Sequence, residues 1–112
     1  MTAPQFKSLT QNISANLAHL HKTQAGVMKG FGEMGRAAMA GGAIDPKTKE
    51  LIALAVGVAA RCDGCIGFHT KALARLGATT EEVHEALGVA IYMGGGPVAM
   101  YAANAVAAFN EF

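Results

Sequence analysis

Both cysteines of the chain lie in one short stretch, Cys62-Asp63-Gly64-Cys65, with His69 four residues beyond the second and Glu50 twelve residues ahead of the first. On an α-helix each residue turns the side chain by about 100° and rises about 1.5 Å, so positions 62, 65 and 69 fall within roughly 60° of one another. Two thiols and an imidazole therefore share one face. The thiolate is the reactive form of cysteine, and an unperturbed thiol is mostly protonated at neutral pH. A helix N-terminus supplies partial positive charge to a C-x-x-C placed there, and His69, one turn past Cys65, can take the proton directly or through one water. Glu50 would hold the imidazole's tautomer and stabilise its protonated form. This is the arrangement of nucleophile, base and orienting acid in a cysteine version.

Glu50 cannot join the group on one unbroken helix, because the twelve residues to Cys62 would span roughly 18 Å. A reversal near Ala60 to Cys62 removes the difficulty. In an antiparallel helical pair, Glu50 before the turn and His69 after it reach similar depth. The spacing thus predicts a helical hairpin that carries the cysteine motif at its bend.

The constellation of Glu50, eleven residues, then Cys62-x-x-Cys65-x-x-x-His69 resembles the signature of the AhpD-like alkylhydroperoxidases within the carboxymuconolactone decarboxylase family. The apolar run Leu51 to Ala60, and Leu76-Gly77-Ala78-Thr79 with Glu81 and Glu82 close behind, also look like that family, so the likeness covers roughly residues 44–108. Residues 1–40 carry no motif. The resemblance implies a compact all-α domain of about six helices and a hydroperoxide as substrate. It implies Cys65 as the attacking thiol with Cys62 resolving, and an external dithiol or redox protein as reductant. It also suggests a homo-oligomer, trimer or hexamer, and calls for no cofactor or metal.

The residues themselves support Cys65 as nucleophile because it is the i−4 neighbour of His69, yet Cys62 lies nearer the helix start, so the opposite order stays open. A thiolate that attacks a peroxide becomes a sulfenic acid, and the second thiol condenses with it to a disulfide. One departure stands out: Asp63-Gly64 occupies the two positions where some relatives carry a histidine or an aromatic. An aspartate beside the thiols raises their pKa by like-charge repulsion, which bears on the peroxidase rate more than on disulfide chemistry.

Two other readings compete. The decarboxylase branch of the same family processes lactones without the cysteine pair. A non-catalytic structural or metal-binding subunit could use Cys62, Cys65, His69 and Glu50 as zinc ligands. Attachment of a c-type haem is excluded, since histidine would have to follow the second cysteine directly and Ile66 stands there.

At 112 residues the chain reads as one domain, residues 1–112. It is 52% hydrophobic and 15% charged, below the roughly 25% charged residues usual in soluble domains, so it has apolar surface to hide in an oligomer. A membrane helix needs about 18 consecutive apolar residues, and Leu51 to Ala60 is too short. A net charge of +1 without a basic run gives no footing for nucleic acid. The N-terminus lacks the charged start and apolar core of a secretory signal. Two cysteines in a C-x-x-C point to a cytoplasmic redox or metal motif rather than a disulfide framework.

Helical periodicity recurs throughout and strand alternation is absent. Phe6, Leu9, Ile13, Leu17 and Leu20 mark a first helix over residues 4–22. Val27, Met28, Phe31, Met34 and Met39 mark a second over 23–40, ended by Gly41-Gly42. Asp45-Pro46 starts a third, which runs to about Ala60. The fourth spans about Cys62 to Leu76 and closes at Gly77. Thr79 and Glu82 form a capping box that opens a fifth, running to about Met93. Gly94-Gly95-Gly96-Pro97 breaks and restarts the chain into a sixth, to about Phe109. The third, fifth and sixth are apolar on most sides, which implies burial between subunits as well as within one. His19, His21 and His84 are expected at the surface, the methionines in the core, and Tyr92 and Tyr101 at an interface, with a substrate entry as their alternative place.

Overall fold

The structure is a computed structural model that describes residues 5–112. Six helices and no strands make up the described residues: α1 (Gln5–Thr23), α2 (Ala25–Met39), α3 (Pro46–Ala59), α4 (Asp63–Arg75), α5 (Thr80–Gly94) and α6 (Gly96–Glu111). Each matches an expected helix to within about two residues. The expected start of the first helix at residue 4 lies outside the described residues.

The boundaries follow from local chemistry. Asp45 caps α3 by accepting the Thr48 N–H at 3.0 Å, with Pro46 at the first helical position. Thr79 and Glu82 make the reciprocal capping box of α5, Thr79 N–H to Glu82 at 2.8 Å and Glu82 N–H to Thr79 Oγ1 at 3.1 Å. Gly95, at φ 77°, adopts the left-handed backbone that separates α5 from α6. Both ends of the hairpin's helices close in the same way. After α3, Arg61 donates to Val58 O and Cys62 to Gly57 O; after α4, Gly77 donates to Ala74 O and Ala78 to Leu73 O. These paired bonds around a left-handed residue are Schellman closures. Glycine serves at position 77, but at position 61 an arginine takes φ 59°.

α3 packs on α4, α5 and α6 at the centre. Leu54 and Val58 of α3 meet Ile66 and Leu73 of α4 and Val83 of α5 in a core without solvent exposure. Small residues on α6, Ala102, Ala105 and Ala108, let that helix approach closely. α1 crosses α4 where side chains are missing: a Cβ at Gly67 would lie 2.6 Å from Thr10 Cγ2, and one at Gly64 2.9 Å from Ile13 Cδ1. The start of α1 is fixed by Glu111 of α6, whose carboxylate accepts the Phe6 and Lys7 N–H groups at 2.9 Å.

Two expectations need correction. Among the described residues no methionine lies in the core; Met34, Met93 and Met100 are all well exposed. Their helices are amphipathic in pattern, but the faces that carry them are left uncovered among the described residues. The α1 stripe is also only partly used, with Phe6 buried, Ile13 and Leu17 half-buried and Leu20 exposed. Histidines 19, 21 and 84 are exposed as expected. Tyr92 is fully outside, whereas Tyr101 packs against the core.

Candidate active site

The bend between α3 and α4 is three residues long, and its Schellman closure sets where Cys62 stands. Cys62 is the N-cap of α4, with extended backbone at φ −108° and ψ 98°. It therefore lies one position outside the helix and not on its face. Its Sγ curls over the first turn and accepts the Cys65 N–H at 3.1 Å. The two sulfurs are joined in a disulfide, with Cα atoms 5.2 Å apart. A sulfur at this place receives a free helix amide and the positive end of the helix dipole, both of which favour a thiolate once the bond is reduced. Asp63 occupies the first helical position and is exposed.

His69 and Glu50 meet directly, His69 Nδ1 to Glu50 Oε2 at 2.7 Å. Their side chains are 31% and 15% exposed, so the contact is shielded without being sealed. The antiparallel pairing of α3 and α4 brings this about. Glu50 and Gly57 lie seven positions, or two turns, apart on one face of α3. Glu50 faces His69, and Gly57 faces Cys65, where an added Cβ would come within 2.9 Å of Cys65 Cβ. With Nδ1 engaged by the carboxylate, the other ring nitrogen of His69 is left for proton transfer.

Cys62, Cys65 and His69 open together into a pocket of about 550 Å³, whose apolar walls are Ile13 of α1, Phe31 of α2 and Phe68 of α4. All four expected site residues are thus gathered on one hairpin, three of them in one pocket and Glu50 behind His69. Gly57, Ile13 and Phe31 also belong to the site, though nothing in the motif marks them. A glycine in the middle of an otherwise apolar helix was the available signal for the first. Neither tyrosine reaches this pocket, and among the described residues no three His, Cys, Asp or Glu side chains are arranged to hold a metal ion.

The sequence profile of the carboxymuconolactone decarboxylase family matches residues 25–108. The chain belongs to that family. The match reaches back through α2, well ahead of the residues that carry the motif. The crystal structure of the apo form of a carboxymuconolactone decarboxylase family protein from Legionella pneumophila superposes with a TM-score of 0.96 at 51% identity, covering 98% of each chain. A second family member of known structure, from Thermotoga maritima, gives a TM-score of 0.70 at 37% identity over 75% of this chain and 87% of its own; it is described as a candidate for involvement in an antioxidative response. An uncharacterised protein of Cupriavidus necator is 39% identical over 105 residues, 94% of this chain and 93% of that one. The all-α, AhpD-like domain expected from the sequence is thus the family's fold in this carboxymuconolactone decarboxylase relative. No helix among the described residues is long and apolar enough to cross a membrane.

Proposed function

We propose that this family member is a cytoplasmic thiol peroxidase and dithiol–disulfide oxidoreductase that reduces hydroperoxides through Cys62 and Cys65, with His69 and Glu50 as proton relay. The observation that carries this reading is the bonded Cys62–Cys65 pair in the same pocket as a histidine held at 2.7 Å by a carboxylate. The antioxidative role suggested for the Thermotoga relative points the same way.

In the reduced protein His69 takes the Cys65 proton. The thiolate attacks one oxygen of the hydroperoxide; a sulfur–oxygen bond forms, the O–O bond breaks, and the alcohol leaves with the proton returned from His69. Cys62, held at the helix cap, then attacks the sulfenic sulfur, water departs, and the disulfide closes. Two electrons have passed from the thiols to the peroxide. An external dithiol or redox protein restores them by thiol–disulfide exchange. Cys65 is assigned the first attack because it shares the helix face of His69, and Cys62 the resolving role. The apolar side chains left outside on α3, α5 and α6, among them Val56, Val89, Tyr92 and Met100, support a homo-oligomer, trimer or hexamer, built from one-domain subunits.

The test is a thiol titration of the reduced protein with one equivalent of cumene hydroperoxide. Loss of both thiols with a mass decrease of two hydrogens is expected. A Cys62→Ser variant should stop at a sulfenic acid that dimedone traps, and Cys65→Ser should not react. Both thiols surviving in the folded protein would overturn the reading, and trapping at the other cysteine would reverse the assignment.

A further inference from the structure

α2 is the least anchored element of the molecule. None of its residues is buried, and among the described elements its backbone comes close only to α1 and α3. Even so, it supplies Phe31, which is 64% exposed and forms a wall of the cysteine pocket. Something other than core packing must set where that ring stands.

The C-terminal end of α2 shows what does. Helix ends leave carbonyls without intrahelical partners, and here the Lys49 ammonium on α3 donates to two of them, Ala38 O at 2.9 Å and Ala40 O at 2.6 Å. A cation at this place also meets the negative end of the helix dipole. Lys49 is the neighbour of Glu50, so adjacent residues of α3 reach in two directions, one to the end of α2 and one to His69. Because α2 has no buried side chain to hold it, this two-bond contact weighs more in its placement than it would for a core helix.

We propose that Lys49 is a clasp that positions α2, and that Phe31, so positioned, is a specificity-determining wall that favours aromatic or bulky apolar reactants at the cysteines over small polar ones. The inference rests on the proposed function for its physiological meaning. It concerns access to the thiols, and so is tested on them directly.

The experiment measures second-order oxidation of the reduced protein by two neutral disulfides, aromatic 4,4′-dithiodipyridine and aliphatic 2-hydroxyethyl disulfide. Each probe takes two electrons and two protons from Cys62 and Cys65, leaving the protein disulfide and two molecules of probe thiol. The ratio of the two rates, compared between variants, cancels the intrinsic reactivity of the probes. Phe31→Ala is expected to lower the aromatic-to-aliphatic ratio by roughly tenfold, the scale of one lost aromatic contact. Lys49→Met should lower it by a similar factor, the double variant no further, and Lys49→Arg, which keeps two donors, should restore it. Cumene hydroperoxide against hydrogen peroxide is run in parallel. A ratio unchanged in Phe31→Ala overturns the wall. A Lys49→Met variant that slows both probes equally, or that Lys49→Arg does not rescue, overturns the clasp and leaves Lys49 a stabilising residue only. If neither peroxide consumes thiols while the disulfide ratios shift as expected, the peroxidase reading falls and the clasp and wall stand.

Discussion

Replacing Gly57 by alanine puts a single methyl group between the two helices that make the site. A Cβ there would stand 2.9 Å from Cys65 Cβ, about half an ångström inside the 3.4 Å at which ordinary contact begins. Both carbons are fixed to helical backbone, so no side-chain rotation relieves the crowding and α3 must move away from α4. Overpacking of this kind costs about 1–3 kcal/mol. Alanine returns about 1 kcal/mol through its higher helix propensity, so a net loss of about 1 kcal/mol is expected. For a chain of this size that is a fall in Tm of about 4 °C. Gly30→Ala is the matched control, because a Cβ at position 30, inside α2, meets nothing within 4 Å. There only the propensity remains, and Tm should rise by about the same amount. Thermal melts followed by far-UV circular dichroism, on oxidised and reduced protein, read both changes. A Gly57→Ala protein at least as stable as the wild type, beside a Gly30→Ala protein that is stabilised, would refute the close approach of α3 to Cys65 on which the site's geometry depends.

The remaining predictions concern the relay, the bend and an ion pair. His69→Gln should slow thiol loss to cumene hydroperoxide by about a hundredfold, with a smaller loss for Glu50→Gln, as read by stopped flow; unchanged rates would remove the pair from the mechanism. Arg61→Gly should raise stability by about 0.5–1 kcal/mol in denaturant melts, since the left-handed backbone costs an L-residue about 1–2 kcal/mol and glycine's greater freedom in the unfolded chain offsets part of the gain. Lys47, bonded to Glu82 at 2.8 Å, together with the Thr79 amide, holds the Glu82 carboxyl below its ordinary 4.5. A lowered carboxyl contributes stability above its unfolded value and loses it as pH falls through the folded one. The Tm difference between wild type and Glu82→Gln should therefore be full at pH 7 and shrink below pH 4.5; a constant difference down to pH 3 would contradict the pairing.

The parts of this fold that the sequence discloses are those whose causes are local. Asp45-Pro46, Thr79 with Glu82 and the glycines at 77 and 95 each end or start a helix through contacts within a few residues. The candidate site was legible for the same reason: Cys65 and His69 are one turn apart, and Glu50 needs only a reversal at a predictable place. What stayed hidden arises between distant segments. Nothing in the neighbours of Phe31 says that it faces a cysteine pocket, and Lys49 looks like any first-turn lysine until the end of α2 is laid beside it. Gly57 was visible as a residue but not as a contact. The methionines misled because periodicity reports that a helix has an apolar face and is silent on what covers it.

The bond between Glu111 and the start of α1 joins residues 105 positions apart, whereas the disulfide and the Glu50–His69 contact span 3 and 19. Loop-closure entropy grows with separation, and a distant contact forms only once both ends exist. The hairpin that carries the site is thus tied together by short-range closures, although its helices also lean on α5 and α6. α1, with Ile13 on it, is seated on α4 at Gly64 and Gly67, and the Glu111 bond ties its start to the far end of the chain. The two ends of the described chain thus meet in one bond beside the helix that walls the cysteine pocket, so a change at Glu111 reaches the pocket through α1 without touching a residue that lines it.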